Sequence, residues 1–138
     1  MRSGVTIFPG SNCDRDIIVA LKNITGKAPI KMWHKDTEFP NLDLIVIPGG
    51  FSFGDYLRCG ALAARSPVIK SIKNHISRGG SVLGICNGFQ ILIEAGILPG
   101  SLIRNKKLLF TCRDTTLEIQ DTIISPFLSG LKKEHDLN

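Results

Sequence analysis

Val82-Leu83-Gly84-Ile85-Cys86-Asn87-Gly88-Phe89-Gln90 is the stretch on which the reading of this chain turns. Its first four residues read as a buried strand, and from about Gly88 to Ala95 the pattern is helical, stopped by Gly96 and Pro99. Between the two lies a G-x-C-x-G, the thiol counterpart of the G-x-S-x-G nucleophile elbow. The logic is steric. The nucleophile sits on a strained strand-to-helix turn, and glycines two residues to either side let the turn close. The helix that follows aims its positive N-terminal end at Cys86, which favours thiolate. The backbone amide of Asn87 faces the same side and can donate to a developing oxyanion. A structural cysteine beside two packing glycines is the plainer alternative. The position at a strand end feeding a helix favours the elbow.

The same alternation continues outward. Val5-Thr6-Ile7-Phe8 reads as a strand ended by Pro9-Gly10, and Leu44-Ile45-Val46-Ile47 as one cut off by Pro48-Gly49-Gly50; Ile30 to Trp33 is a weaker strand. Ser11 or Asn12 is expected to cap a helix from about Cys13 to Asn23, with Ile17, Leu21 and Ile24 on its apolar face and Gly26 closing it. Pro67 opens a further helix with Val68, Ile69, Ile72 and Ile76 as its stripe, ended by Gly79-Gly80. Four strand-then-helix units with nearly continuous apolar strands predict an α/β fold. The sheet should be doubly wound, mostly parallel and flavodoxin-like, with helices on both faces. Past the last helix the rhythm changes. Leu108, Phe110 and Cys112 alternate with polar residues, as do Leu117 and Ile119, which predicts half-exposed antiparallel strand.

Ligands of such sheets bind outside the carboxyl ends of the strands, so the strand exits are where chemistry is sought. The exit of the third strand is Pro48-Gly49-Gly50-Phe51-Ser52-Phe53-Gly54-Asp55. Gly49 and Gly54 have the outer spacing of a phosphate-binding P-loop, but Asp55-Tyr56 stands where Lys-Ser/Thr is required, so that loop type is rejected. Consecutive glycines expose backbone N–H groups, and this loop can supply a second oxyanion donor beside Cys86. The exit of the first strand, Pro9-Gly10-Ser11-Asn12-Cys13-Asp14, is read as structural. A thiol nucleophile needs a base. Of the three histidines, His34 ranks first by position after the second strand. His75 reads as a surface or boundary residue of its helix, and His135 belongs to the polar tail.

Composition narrows the class. The 138 residues carry a net charge of +5, but the basic residues are scattered and no aromatics interleave with them, so nucleic acid is not the expected partner. The four cysteines have no C-x-x-C spacing and no histidine cluster beside them, so no metal site is expected. No window approaches the roughly 18 apolar residues of a membrane span, and nothing at the start reads as a signal peptide, so a cytoplasmic protein is expected.

Taken together, the segments Phe8 to Asp14, Pro48 to Arg58 and Leu83 to Gln90, with Arg104-Asn105-Lys106 and Phe110-Thr111-Cys112-Arg113, resemble one family. It is that of the glutaminase subunits of phosphoribosylformylglycinamidine synthase, class I (triad) glutamine amidotransferases of purine biosynthesis. The resemblance runs from Met1 to about Gly130. It implies a single amidotransferase domain over residues 1–138, with 131–138 a polar tail unlike the family. It implies that Cys86 attacks the side-chain amide of glutamine and forms a glutamyl thioester, with Gly50 and Asn87 as the backbone oxyanion donors and Gln90 as a glutamine-binding contact. The ammonia released would pass to a synthetase subunit, and a small third subunit would complete the complex. ATP and magnesium would be used by the synthetase, leaving no cofactor in this chain.

The family's base is a histidine in a His-x-Glu arrangement on a later segment, and His34, His75 and His135 do not match it. The expectation is therefore that the C-terminal part of the domain is missing and that these residues alone turn over little or no glutamine. Two other readings share the elbow: an amidotransferase-like thiol hydrolase, and a truncated, non-catalytic binding module.

Overall fold

The computed structural model of the chain describes residues 1–118 and 125–128. Four short strands, β1 (Ser3–Ile7), β2 (Ile30–Trp33), β3 (Leu44–Ile47) and β4 (Ser81–Gly84), form one parallel sheet. Their order is β2-β1-β3-β4. The chain thus runs outward from β1 to β2, returns to the other side of β1 for β3, and continues to β4. The direction reverses between β1 and β3, so the loops leaving those two strands flank the switch point at which parallel sheets bind ligands.

Each face is covered by helix, as the continuous apolar strands require. On one face α1 (Asp14–Thr25) packs Leu21, with Ile17 and Ile18, over Val5, Leu44 and Val46. On the other, α2 (Pro67–Ser77) and α3 (Asn87–Glu94) enclose the larger core of Met32, Ile45, Ile47, Val68, Ile69, Ile72, Ile91 and Leu92. The alternation along β3 explains the partition: Leu44 and Val46 point one way, Ile45 and Ile47 the other. The predicted doubly wound α/β fold with helices on both faces is the one observed.

Three local expectations change. Ile24 is 81% exposed and Ile18 takes its place on the packed face. Helical spacing alone therefore does not bury Ile24. The N-cap of α1 is Cys13 and no side chain caps it; Asp14 and Asp16 supply negative charge to the first turn instead. His75, read as a boundary residue, is buried. Its Nε2 lies 3.1 Å from the Ser81 carbonyl oxygen, joining α2 to the start of β4, and the ring fills the space a side chain at Gly80 would need.

The chain falls into two compact units, Met1–Leu102 and Ile103–Asn138. In the second, described residues 103–118 form turns and no strand, and Leu108 and Phe110 are exposed. The alternating pattern there does not become the expected antiparallel strand, because a strand requires a partner for its N–H and C=O groups. The bonds seen are local: Leu108 N–H donates to the Asn105 carbonyl at 2.8 Å, and Asn105 Nδ2 donates to the Leu109 carbonyl at 2.8 Å. Ile119, His135 and the tail 131–138 lie outside the described residues.

Leu21 and Ile24 occupy one apolar stripe in the sequence but opposite environments in the fold. Leu21→Ala is expected to destabilise by about 2–4 kcal/mol, and Ile24→Ala by no more than about 0.5 kcal/mol. Urea unfolding of both variants checks the assignment, and equal losses would contradict it.

Candidate active site

Cys86 stands between β4 and α3 with φ 52° and ψ −110°, a backbone conformation that side chains rarely adopt. It is exposed, as an attacking group must be. Both flanking glycines are sterically obligatory. A Cβ at Gly88 would run into the backbone carbonyl of Ile47, and one at Gly84 would lie 2.6 Å from Leu92 Cδ1 and 2.7 Å from the Gly88 carbonyl. The strain at Cys86 is held by this close approach of α3 to β3, with Ile91 and Leu92 of α3 anchored in the core.

The loop after β3 lies against the elbow. A Cβ on Gly49 would sit 3.3 Å from Cys86 Cβ and 3.7 Å from Cys13 Sγ. Gly50 has φ 128°, and any side chain there would collide with Asn12, whose Oδ1 would lie 2.5 Å from its Cβ. The backbone amides of Gly50 and Asn87 meet no hydrogen-bond acceptor among the described residues. The loop is stitched to the exit of β1. Phe51 N–H donates to the Gly10 carbonyl at 3.2 Å, Phe53 N–H to the Pro9 carbonyl at 2.6 Å, and Ser11 Oγ to the Gly49 carbonyl at 3.3 Å. The first exit is thus structural, as read, but its hydroxyl braces the neighbouring loop rather than capping α1.

A buried polar cluster joins this loop to α3. The side-chain oxygen of Asn87 accepts from Ser52 N–H at 3.1 Å and from Ser52 Oγ at 2.6 Å. Its Nδ2 donates to Asp55 Oδ1 at 3.1 Å and to Gln90 Oε1 at 2.9 Å. On the surface, Arg58 of the same loop forms a two-pronged ion pair with Glu94 at the end of α3, at 2.9 and 2.6 Å. Arg58's donated hydrogen bond holds the Glu94 carboxyl below its ordinary value. Cys59 also lies in this region. Burial pushes its thiol above the usual value, and the Asp55 charge and hydrogen bond add to the shift, so it stays a thiol at neutral pH.

Cys86, Gly50, Asn87 and Gln90 are therefore brought together, and neither His34 nor His75 joins them. His34 follows β2 and Cys86 follows β4, at opposite edges of the described sheet. Three interstrand steps of about 4.8 Å separate them, roughly 14 Å in all. His34 instead packs among rings, with centroids 4.7 Å from Trp33, 5.2 Å from Phe53 and 6.4 Å from Phe8. Burial, with the nearby Lys35 charge second, lowers its pKa. His75 contacts the amino end of β4, the end away from Cys86. Ser52, Asp55 and Cys59 were not singled out by sequence reasoning. No periodicity or spacing marks them; only the quoted loop in which Ser52 and Asp55 lie could have drawn attention.

Among the described residues, no group of three or more His, Cys, Asp or Glu side chains is placed to hold a metal ion. No helix among them is long and apolar enough to cross a membrane.

A parallel, doubly wound sheet that ends in a strained cysteine elbow beside a glycine loop defines an α/β protein of the thiol-elbow class. Comparison with known proteins makes this specific: the profile of the CobB/CobQ-like glutamine amidotransferase domain matches residues 1–137, and the chain belongs to that family. The chain is 56% identical over 139 aligned positions to phosphoribosylformylglycinamidine synthase subunit PurQ of Zymomonas mobilis, covering 100% of this chain and 62% of that protein. It is 60% identical to the protein of the same name from Rhizobium meliloti, over 86% of this chain and 53% of the relative. The structure of PurLQS from Thermotoga maritima superposes with a TM-score of 0.73 at 46% identity, covering 86% of this chain and 55% of that one. The chain thus spans little more than half the length of the relatives it matches.

Two outcomes test the site's architecture. Gly88→Ala is expected to destabilise by about 1–3 kcal/mol or more, because the obstacle is the backbone carbonyl of Ile47 rather than a movable side chain. Denaturant midpoints decide it. For His34, the folded pKa lies below the ordinary 6.5, so the unfolded chain binds the proton more readily. Its contribution to stability is complete above about pH 6.5 and lost as pH falls through the folded value. His34→Phe is expected to flatten the loss of stability between about pH 7 and pH 5. Parallel slopes for the two proteins would contradict this.

Proposed function

We propose that this chain is the nucleophile-bearing part of the glutaminase subunit of a phosphoribosylformylglycinamidine synthase. The observation that carries the proposal is the elbow: an exposed Cys86 held at φ 52° on the turn from β4 into α3. The glycine loop against it, the membership of the amidotransferase family and the names of the relatives support the same reading.

In this reading the Cys86 sulfur attacks the side-chain carbonyl carbon of glutamine. A C–S bond forms, and negative charge develops on the amide oxygen, where the Gly50 and Asn87 amides donate to it. The tetrahedral adduct collapses with cleavage of the C–N bond, and the thiol proton leaves with the nitrogen as ammonia. Water then hydrolyses the thioester to glutamate and restores the thiol. Gln90 contributes to holding glutamine. The base that carries the proton is assigned to a His-x-Glu segment that these 138 residues do not contain, since neither His34 nor His75 stands at Cys86. Ammonia is consumed by a synthetase subunit, which binds ATP, magnesium and the ribonucleotide, in a cytoplasmic complex completed by a small third subunit.

The reading is tested by covalent labelling with a chloroketone analogue of glutamine, located by mass spectrometry. Labelling is expected at Cys86, slowed by excess glutamine and abolished in Cys86→Ala. Labelling spread over Cys13, Cys59 and Cys86 with no protection by glutamine would refute a glutamine-specific thiol. Protection by other amides or peptides instead would favour a thiol hydrolase.

A further inference from the structure

The most fully satisfied polar group at the site belongs to a side chain with no part in the chemistry just described. Asn87 and Ser52 are each only 2% exposed. A carboxamide has two acceptor positions and two donor hydrogens, and in Asn87 all four are used within this one cluster. The oxygen takes Ser52 N–H at 3.1 Å and Ser52 Oγ at 2.6 Å, while Nδ2 gives to Asp55 at 3.1 Å and Gln90 at 2.9 Å. Chemistry fixes its orientation: a backbone N–H can only donate, and a carboxylate can only accept. The loop it grips is strained, with the non-glycine residues Phe53 and Asp55 both at φ 54° and Leu57 at φ 69°. Such a loop persists only where its surroundings over-determine it.

We infer that the Asn87 carboxamide and the Ser52 hydroxyl are positioning groups, which clasp the loop after β3 to the first turn of α3 and so hold the Gly50 and Asn87 amides as one oxyanion site. The inference rests on the reading of Cys86 as a nucleophile. Residue 87 then has two separate tasks: its backbone belongs to the elbow, and its side chain sets where the other donor lies. The link spans 35 positions of sequence and crosses from the exit of β3 to that of β4. Neither side chain touches the substrate in this scheme. Losing the clasp shifts the Gly50 amide without altering the thiol.

The test compares two reagents on the full 138-residue chain. With the chloroketone analogue of glutamine, the thiolate adds to the ketone carbonyl and an oxyanion develops before chloride is displaced. Iodoacetamide alkylates the same sulfur by direct displacement, with no oxyanion. Ser52→Ala is expected to slow the ketone reaction at Cys86 about tenfold, part of the loss seen when an oxyanion donor is removed outright, while leaving the iodoacetamide rate essentially unchanged. Ser52→Thr, which keeps the hydroxyl, is expected to restore the ketone rate. Asn87→Leu is expected to give a larger selective loss. Unchanged ketone labelling in Ser52→Ala would overturn the clasp, and so would parallel changes with both reagents, which mark a merely structural role. Failure of the wild-type chain to show glutamine-protected labelling would instead overturn the nucleophile reading, and the clasp with it.

Discussion

Backbone meets backbone where the first turn of α3 lies on the carboxyl end of β3, and Gly88 leaves no side chain between them and the Ile47 carbonyl. That approach forces the chain to turn from β4 into α3 within a few residues. Gly84 admits the same turn from the strand side, because Leu92 and the Gly88 carbonyl fill the space beside it. Cys86, midway between, has no relaxed conformation available and takes φ 52° and ψ −110°. Strain of this kind costs about 1–3 kcal/mol. It is sustained because α3 cannot lift away without exposing Ile91 and Leu92.

The same constraint aligns the neighbouring loops. Once α3 is seated, its buried Asn87 offers hydrogen-bonding groups to the loop after β3, where Ser52 and Asp55 supply partners beside Gln90 of α3 itself. That loop is braced from the opposite side by the exit of β1, through the Pro9, Gly10 and Ser11 contacts. Regular secondary structure contributes little here. The segment Ser52–Asp55, kinked through left-handed backbone at Phe53, Gly54 and Asp55, is held by hydrogen bonds to two strand exits. The exposed Arg58–Glu94 pair adds a third tether, worth little by itself at a solvated surface.

Much of the fold could be read from the residues. Leu44-Ile45-Val46-Ile47 is apolar at every position, which only a strand covered on both faces tolerates, and all four are buried. Pro67 and Gly26 mark a helix start and a helix end where the structure has them. The pattern failed where burial depended on what an element packs against. Ile24 keeps helical spacing but is exposed, and Leu108 and Phe110 alternate but pair with no strand among the described residues. His75 looked polar enough for a surface, yet the Ser81 carbonyl gives its ring a buried partner.

The candidate site divides in the same way. The sequence by itself determined the elbow, because glycine two residues either side of Cys86 at a strand end is a local steric requirement, legible within nine residues. It also determined that consecutive glycines at 49 and 50 would leave amides unshielded by side chains. Only the tertiary structure decided which exits meet. Strand order sends β2 to one edge and β4 to the other, which separates His34 from Cys86, and it sets β3 beside β4, which brings Ser52 to Asn87. Local sequence encodes the turn a short segment takes, through sterics acting over a few bonds. The pairing of distant segments is settled by how all the strands share one core, and no single stretch carries that information.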